Sequence, residues 1–124
     1  MTPRTTKRDP SGLLPLSNIA VQILLAVADG DKHGYAIAKE IRRRTGGAVD
    51  LGASTLYTSL RRLLGEGVID ETDERPDPAL DDERRRYYAL TPFGRAVLIA
   101  EMQRLDTVVA DGRAKRLLPL RSRS

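Results

Sequence analysis

The stretch S-T-L-Y-T-S-L-R-R-L-L-G-E-G (54–67) decides the fold class that this sequence predicts. Its leucines recur at i, i+4, i+7 and i+8, which is the spacing of one apolar stripe on an α-helix. The stripe consists of Leu56, Leu60, Leu63 and Leu64. At about 100° per residue the opposite side collects Ser54, Thr58, Arg61, Arg62 and Gly65. The pattern predicts a helix from Ser54 to about Glu66, with one side facing a core and one side facing outward.

The outward side of this helix carries small hydroxyl and guanidinium groups, which suit the major groove of DNA. Ser and Thr donate to phosphates or base edges, and Arg binds guanine or phosphate through two hydrogen bonds. Ser54, Thr55 and Thr58 lie near the helix start and would enter the groove most deeply. An amphipathic helix with an outer arginine pair is also common without DNA binding, so the helix alone leaves both interpretations open.

Two further helices are predicted before this one. The first covers Ser17 to Ala28, with Ser17 as its N-cap and Asp29-Gly30-Asp31 as its stop. The second covers about residues 33–45 and ends at Gly46-Gly47. Three arginines stand in its last turn, where a positive charge suits the negative end of the helix dipole, and this is their alternative explanation to DNA contact.

Two strands and a last helix follow. Residues 68–72 predict a short strand, residues 73–83 an acidic loop with two prolines, and residues 84–90 a second strand with alternating faces. Thr91-Pro92 gives an N-cap followed by proline at the first position of a helix that runs to roughly Asp111. The element order predicts a mainly α (α+β) winged helix-turn-helix with a C-terminal dimerisation helix.

The last helix is apolar on two sides. One strip consists of Phe93, Ala96, Val97 and Ala100, and the other of Leu98, Met102, Leu105 and Val109. Since a helix that is apolar on two sides packs against two partners, the second strip is predicted as a homodimer interface. Burial of both strips in one subunit remains the alternative. The predicted organisation is a disordered arm (1–12), a DNA-binding domain (13–91), a dimerisation helix (92–111) and a flexible basic tail (112–124).

Composition excludes several classes of function. The chain has no cysteine and one histidine, and it has no P-loop or Gly-rich dinucleotide turn, so no enzyme, metal site or cofactor is predicted. It has no apolar signal segment and no run of about 18 apolar residues, which predicts a cytoplasmic protein without a membrane partner. The formal charge of +4 resides in the tail, because residues 1–112 hold 16 Lys/Arg against 17 Asp/Glu. Bulk charge therefore does not argue for DNA.

Four stretches resemble the PadR family of bacterial transcriptional regulators. They are H-G-Y-A-I (33–37), S-T-L-Y-T-S-L-R-R-L (54–63), E-G-V-I (66–69) and R-R-R-Y-Y-A-L-T-P-F-G-R (84–95). The resemblance covers about residues 13–111, and the combination of H-G-Y, T-L-Y and Y-x-L-T-x-x-G in this order is specific. It implies a winged helix-turn-helix, a homodimer built through the C-terminal helices, and repression at palindromic double-stranded DNA operators. A small-molecule inducer often releases such repressors.

The resemblance also implies site residues. It assigns Tyr35 to a phosphate contact, and groove reading to Ser54, Thr55, Tyr57, Thr58 and Arg61. Arg84, Arg85 and Arg86 match the basic strand that leads out of the wing, and Arg62 joins the set from the helix pattern. As alternatives, Tyr35 and Tyr57 can pack into the core. Tyr88 and Leu90 are expected in the core, and His33 is expected to shape the turn before the second helix.

Two features depart from the commoner family pattern. The predicted wing tip carries six acids, which phosphates repel, so the tip is not expected to lie against DNA. The arginines at 84–86 are expected to contact DNA or to pair with Asp81, Asp82 and Glu83. The chain also resembles short members, and without tryptophan it gives no Trp-lined ligand pocket. The alternative function is a winged-helix module for protein partners, and activation or nucleoid binding would be variants of the DNA-binding role.

Overall fold

The computed structural model describes residues 8–72 and 86–120, and this part of the chain forms four α-helices and a three-stranded antiparallel sheet. The elements are α1 (Asn18–Ala26), β1 (Lys32–His33), α2 (Gly34–Arg44), α3 (Ala53–Glu66), β2 (Ile69–Thr72), β3 (Tyr87–Leu90) and α4 (Pro92–Ala114). A short 3₁₀ helix at Pro10–Leu13 precedes them. This is the predicted mainly α winged-helix fold, with β2 and β3 as the wing.

Local capping signals define where the helices begin and end. The Ser17 hydroxyl accepts a hydrogen bond from the Ala20 amide at 3.0 Å, and the Thr91 hydroxyl accepts one from the Gly94 amide at 2.8 Å. Both residues act as the predicted N-caps. Gly67 ends α3 in the left-handed conformation, with φ of 79°, which a residue without a Cβ adopts readily. The predicted starts of α1 and α4 and the predicted end of α3 are confirmed.

The sheet has the strand order β1-β3-β2, with β3 in the centre. In the wing, Ile69 lies opposite Leu90 and Thr72 opposite Tyr87. The two-residue strand β1 pairs with β3 on its other side and was not predicted, because two residues are too few for an alternating pattern. The acidic loop 73–83, together with Arg84 and Arg85, lies outside the described residues.

The core joins all the helices to the sheet. Its largest members include Ile23, Leu24, Ile37, Ile41, Leu60, Val68, Ile69, Tyr88 and Val97. Three leucines of the predicted stripe on α3, Leu56, Leu60 and Leu63, are buried, and Leu64 packs at its edge. Tyr88 lies in the core and Leu90 packs partly buried against it, as predicted. Burial of one side of α3 fixes which side faces outward.

A tight joint connects the wing to the start of α4. The Thr91 amide donates to the Val68 carbonyl at 3.1 Å, and the Thr91 hydroxyl donates to the Gly67 carbonyl at 2.7 Å. Gly94 comes so close that a Cβ there would overlap the Val68 carbonyl oxygen. The stretches E-G-V-I (66–69) and Y-x-L-T-x-x-G (88–94) therefore meet at this joint.

The prediction of a disordered arm over residues 1–12 is wrong for residues 8–12. Asp9 caps the 3₁₀ helix by accepting from the Ser11 amide at 3.0 Å. The Arg8 guanidinium donates to the Glu66 carbonyl at 2.8 Å and lies 4.2 Å from the centroid of the Phe93 ring. Arg8 therefore joins the end of α3 to the start of α4. Residues 1–7 lie outside the described part.

Two predictions about α4 and its surroundings are corrected. Leu98 is only 6% exposed and belongs to the core of its own subunit, so it is not available as a dimer contact. The helix continues to Ala114, three residues past the predicted end and into the segment predicted as a flexible tail. The chain then turns at Arg116, and the Leu117 amide donates to the Gly112 carbonyl at 2.8 Å. In the described residues, no helix is long and apolar enough to cross a membrane.

Candidate nucleic-acid interface

The outward side of α3 is the candidate interface. Its exposed residues are Ser54, Thr55, Thr58, Arg61 and Arg62, while the leucines on the opposite side are buried. Within residues 8–72 and 86–120, neither Arg61 nor Arg62 forms an ion pair with a carboxylate. These side chains, which the sequence assigned to the DNA interface, therefore face solvent, and the opposite side of α3 packs against the core of the subunit.

Tyr57 lies between α3 and the start of α2. Its side chain is 42% exposed, so it is neither a core residue nor a fully outward one. A Cβ placed on Gly34 would lie 2.5 Å from the Tyr57 hydroxyl oxygen. The glycine of the H-G-Y motif therefore makes room for the tyrosine of T-L-Y, and substitution of either residue would disturb the packing of α2 against α3.

Tyr35 and His33 lie at the N-terminus of α2. The His33 Nδ1 accepts a hydrogen bond from the Ala36 amide at 3.1 Å and caps the helix, so the expected role of His33 in the turn is confirmed. The Tyr35 ring stacks on His33 with centroids 6.3 Å apart, and the His33 and Tyr87 rings lie nearly perpendicular with centroids 5.5 Å apart. Tyr35 is 64% exposed, which excludes the alternative that it packs into the core.

The three arginines at the end of α2 are not equivalent. Arg44 donates to the Gln22 carbonyl at 3.2 Å and lies 3.3 Å from the Glu40 carboxylate, so it holds α2 against α1. Glu40 also lies 3.5 Å from the ammonium of Lys32. Arg42 and Arg43 are exposed. A structural role therefore accounts for Arg44, whereas Arg42 faces a cleft between α2 and α3.

An open cleft of about 330 Å³ lies between α2 and the beginning of α3. Tyr35, Lys39, Arg42, Asp50 and Tyr57 supply its polar lining. Lys39 was not among the predicted site residues, and for Arg42 the sequence left open both DNA contact and stabilisation of the helix dipole. The signal that could have found them is their spacing from Tyr35, since residues at i, i+4 and i+7 share one side of a helix.

On the wing, Arg86 and Tyr88 both approach Glu71. The Arg86 Nε lies 3.9 Å from the Glu71 carboxylate, and the Tyr88 hydroxyl donates to it at 3.5 Å. Burial, reinforced by the charge of Glu71, raises the pKa of Tyr88 to about 12. Arg86 is exposed at the edge of the described wing. The other residues of this prediction, Arg84, Arg85, Asp81, Asp82 and Glu83, lie outside the described residues.

Residues 23–100 match the model of the Transcriptional regulator PadR-like family, which is more than half of the chain. The chain belongs to the PadR-like family. The transcriptional regulator Rv3488 of Mycobacterium tuberculosis is 32% identical over 93 residues, which cover 75% of this chain and 80% of that protein. This PadR-like chain is therefore a transcriptional regulator, in a family of transcription factors and not of enzymes.

Solved PadR structures have the same fold. A PadR family transcription regulator from Clostridium difficile R20291 is 24% identical with a TM-score of 0.68, over 79% of this chain and 97% of that one. Bacillus subtilis PadR, solved in complex with operator DNA, is 23% identical with a TM-score of 0.59. That match covers 69% of this chain and 48% of that one. Both likenesses concern the PadR winged-helix fold.

Proposed function

We propose that this PadR-like protein is a cytoplasmic homodimeric repressor that binds a palindromic double-stranded DNA operator. The observation that carries the proposal is the outward side of α3, where three hydroxyl residues and two arginines are exposed together. Ser54, Thr55 and Thr58 lie in the first turns, the part of a recognition helix that reaches base edges. The relative from Bacillus subtilis that was solved with operator DNA supports the proposal.

The two arginines extend the reach of α3 beyond its first turns. Arg61 lies three residues after Thr58, on the same side of the helix, and Arg62 lies beside it. A guanidinium there can bind guanine through two hydrogen bonds or neutralise a phosphate. On the wing, Arg86 supplies a further exposed guanidinium. We propose that α3 reads the groove and that the wing approaches the neighbouring backbone.

Dimerisation is proposed through the distal half of α4. The subunit's own core ends near Met102. Beyond it, Leu105 and Val109 are only half-buried and Val108 is exposed, so these apolar side chains lack full cover within the subunit. Apolar side chains on one strip of a helix favour a second helix as their cover. A two-fold dimer places two recognition helices about 34 Å apart, one turn of DNA, and two linked half-sites raise affinity through effective concentration.

The test begins with selection of bound duplexes from a random pool, followed by fluorescence anisotropy of the selected operator. We expect Arg61→Ala to weaken operator binding by about 1–3 kcal/mol, roughly 5- to 150-fold, if the side chain reads a base, with relaxed preference at one position. If it binds phosphate, the loss is equal on all duplexes. Arg62→Ala is tested in the same way. Lys115→Ala, which removes a positive charge beyond the end of α4, is the matched control.

Salt separates this function from the alternative winged-helix module for protein partners. Binding through several phosphates weakens steeply as the salt concentration rises. We expect tight operator binding at low salt and a linear decline of log K against log salt. Purified protein that ignores every duplex at low salt would reject the proposal.

A further inference from the structure

We infer that the cleft between α2 and the start of α3 binds one phosphate of the operator backbone, with Lys39 and Arg42 as its cationic walls. The inference rests on the proposed DNA-binding function and adds a subsite and two residues to it. A cleft of about 330 Å³ has room for a phosphate group, and its lining brings two cations and two phenol rings together.

The side of α2 that faces the cleft is set by the core. Ile37 and Ile41 are fully buried, which turns the side with Tyr35, Lys39 and Arg42 outward. These three residues are spaced i, i+4 and i+7, so their side chains follow one another along the helix. The cleft therefore receives an aromatic hydroxyl and two positive charges from successive turns of the same helix.

The two positive charges of the cleft, on Lys39 and Arg42, form no ion pair within the described residues. Arg44, in contrast, is held by Gln22 and Glu40. Asp50 is the acidic group in the cleft lining. Two cations against one carboxylate leave a net positive charge, which complements the single negative charge of a phosphodiester.

The position of the cleft favours a phosphate of duplex DNA as its occupant. Ala53 and Tyr57 of α3 form part of the lining, so the cleft continues directly into the exposed side that carries Ser54 and Thr55. A phosphate held there would lie next to the bases that the first turns of α3 reach. Contacts of this kind fix the register of a recognition helix without carrying sequence information.

The test measures binding of the selected operator and of an unrelated duplex over a series of salt concentrations. We expect Lys39→Ala and Arg42→Ala each to weaken both duplexes by the same factor and to reduce the salt slope by about 1. Arg43→Ala is the matched control, because it removes the same charge from the same helical turn outside the cleft lining. We expect it to leave the slope unchanged.

Two further variants of the experiment sharpen the test. Asp50→Asn removes the repulsive carboxylate, so we expect it to strengthen binding to both duplexes. A neutral methylphosphonate, placed at each backbone position of a half-site in turn, should identify one phosphate at which Arg42→Ala causes no additional loss. Thermal unfolding by circular dichroism verifies that each variant keeps its fold, which we expect because the substituted side chains line an open cleft.

The two proposals can fail separately. If the wild-type protein binds duplex DNA but Arg42→Ala keeps the wild-type salt slope, the cleft does not bind phosphate and the function proposed for α3 stands. Loss confined to the operator would also reject the phosphate subsite, because it would assign Arg42 to base reading. If the wild-type protein binds no duplex, both proposals are rejected.

Discussion

Helix α3 and the distal half of α4 are both partly exposed, but they expose opposite kinds of surface. α3 buries its leucines and presents hydroxyl and guanidinium groups, so its exposed side is polar. The proximal half of α4 buries Val97 and Leu98, whereas its distal half leaves Leu105, Val108 and Val109 partly or largely uncovered.

The two kinds of surface suit the two partners proposed for this protein, which are duplex DNA and a second copy of the chain. A polar side with uncompensated positive charge suits a charged polymer such as DNA, whose phosphates it neutralises. An apolar strip gains free energy when another apolar surface removes it from water, at roughly 25 cal/mol per Å². In the proposed dimer, a second copy of α4 would supply such a surface and would double the number of recognition helices, so the two regions would act together.

The largest expected effect comes from breaking the joint that connects the wing, directly after α3, to the start of α4. Gly94→Ala would push a Cβ into the Val68 carbonyl, so we expect a loss of about 3 kcal/mol in the free energy of unfolding, the upper end of the usual cost of overpacking. In a domain of this size that lowers Tm by roughly 12–24 °C in calorimetry. Gly65→Ala, in open space on α3, is the control and should stabilise the helix slightly. A Gly94→Ala variant that melts with the wild type would contradict the joint.

The apolar strip is tested next by Leu105→Lys. Light scattering should report a monomer, and operator affinity should drop by about 100-fold or more because the half-sites are no longer linked. The fold should persist, since Leu105 lies outside the subunit's own core. Thr107→Lys, at an exposed position of the same helix, serves as control. A surviving dimer would refute this interface.

Glu101, in the proximal half of α4, is a buried carboxylate whose role is structural. It is 1% exposed, accepts from the Leu16 amide at 3.1 Å and binds the Arg104 guanidinium at 2.6 Å. The hydrogen bond from Arg104 in particular holds the pKa of Glu101 below its ordinary value near 4.5. Glu101 therefore joins the segment before α1 to α4.

The lowered pKa fixes the sign of the pH dependence. The unfolded chain binds the proton of Glu101 more tightly than the folded chain, so the contribution is complete above the ordinary pKa and is lost as the pH falls through the folded one. We expect Glu101→Gln to lose about 1–3 kcal/mol at neutral pH. Between about pH 6 and pH 3, its Tm should fall less than that of the wild type. Parallel curves for the two proteins would exclude this role.

The smallest expected effect concerns Arg8, which bridges the end of α3 and the start of α4. Arg8→Ala removes a hydrogen bond to Glu66 and a cation–π contact with Phe93. An exposed cation–π contact contributes about 0.5–1 kcal/mol, so urea unfolding should show a loss of about 1 kcal/mol. Arg8→Lys keeps the charge without the planar guanidinium, so its stability should lie between that of the wild type and that of Arg8→Ala. Unchanged stability in Arg8→Ala would mean that the bridge does not stabilise the fold.

The parts of the fold that could be predicted from the sequence depend on local signals. Three helix ends could be predicted because the residue that marks each end makes its hydrogen bond within three residues along the chain. These residues are Ser17, Thr91 and Gly67. The leucine period of α3 likewise fixes its outward side. Asp9-Pro10 was also a readable start signal, an N-cap before proline, although the polar composition around it predicted disorder.

The remaining features depend on contacts between distant segments. The bond from Arg8 to Glu66 spans 58 residues, and that from Leu16 to Glu101 spans 85. From the sequence alone, a glutamate on a helix such as Glu101 is expected to be exposed to solvent. Its burial becomes understandable only once its hydrogen-bond partners are known. The cleft is a similar case, because Lys39 and Arg42 can be aligned with Tyr35 from the sequence, but only the packing of α2 on α3 creates the space between them.

Hydroxyl-radical footprinting of the selected operator reports whether two α3 helices bind it as a pair. If the outward sides of two α3 helices bind the operator as a pair, two windows of the duplex are protected. The two windows should be related by a two-fold axis and lie on one face of the duplex, with centres about one helical turn apart. Both windows should disappear together in Leu105→Lys at the same protein concentration. A single protected window, or an unprotected duplex at low salt, would contradict the account.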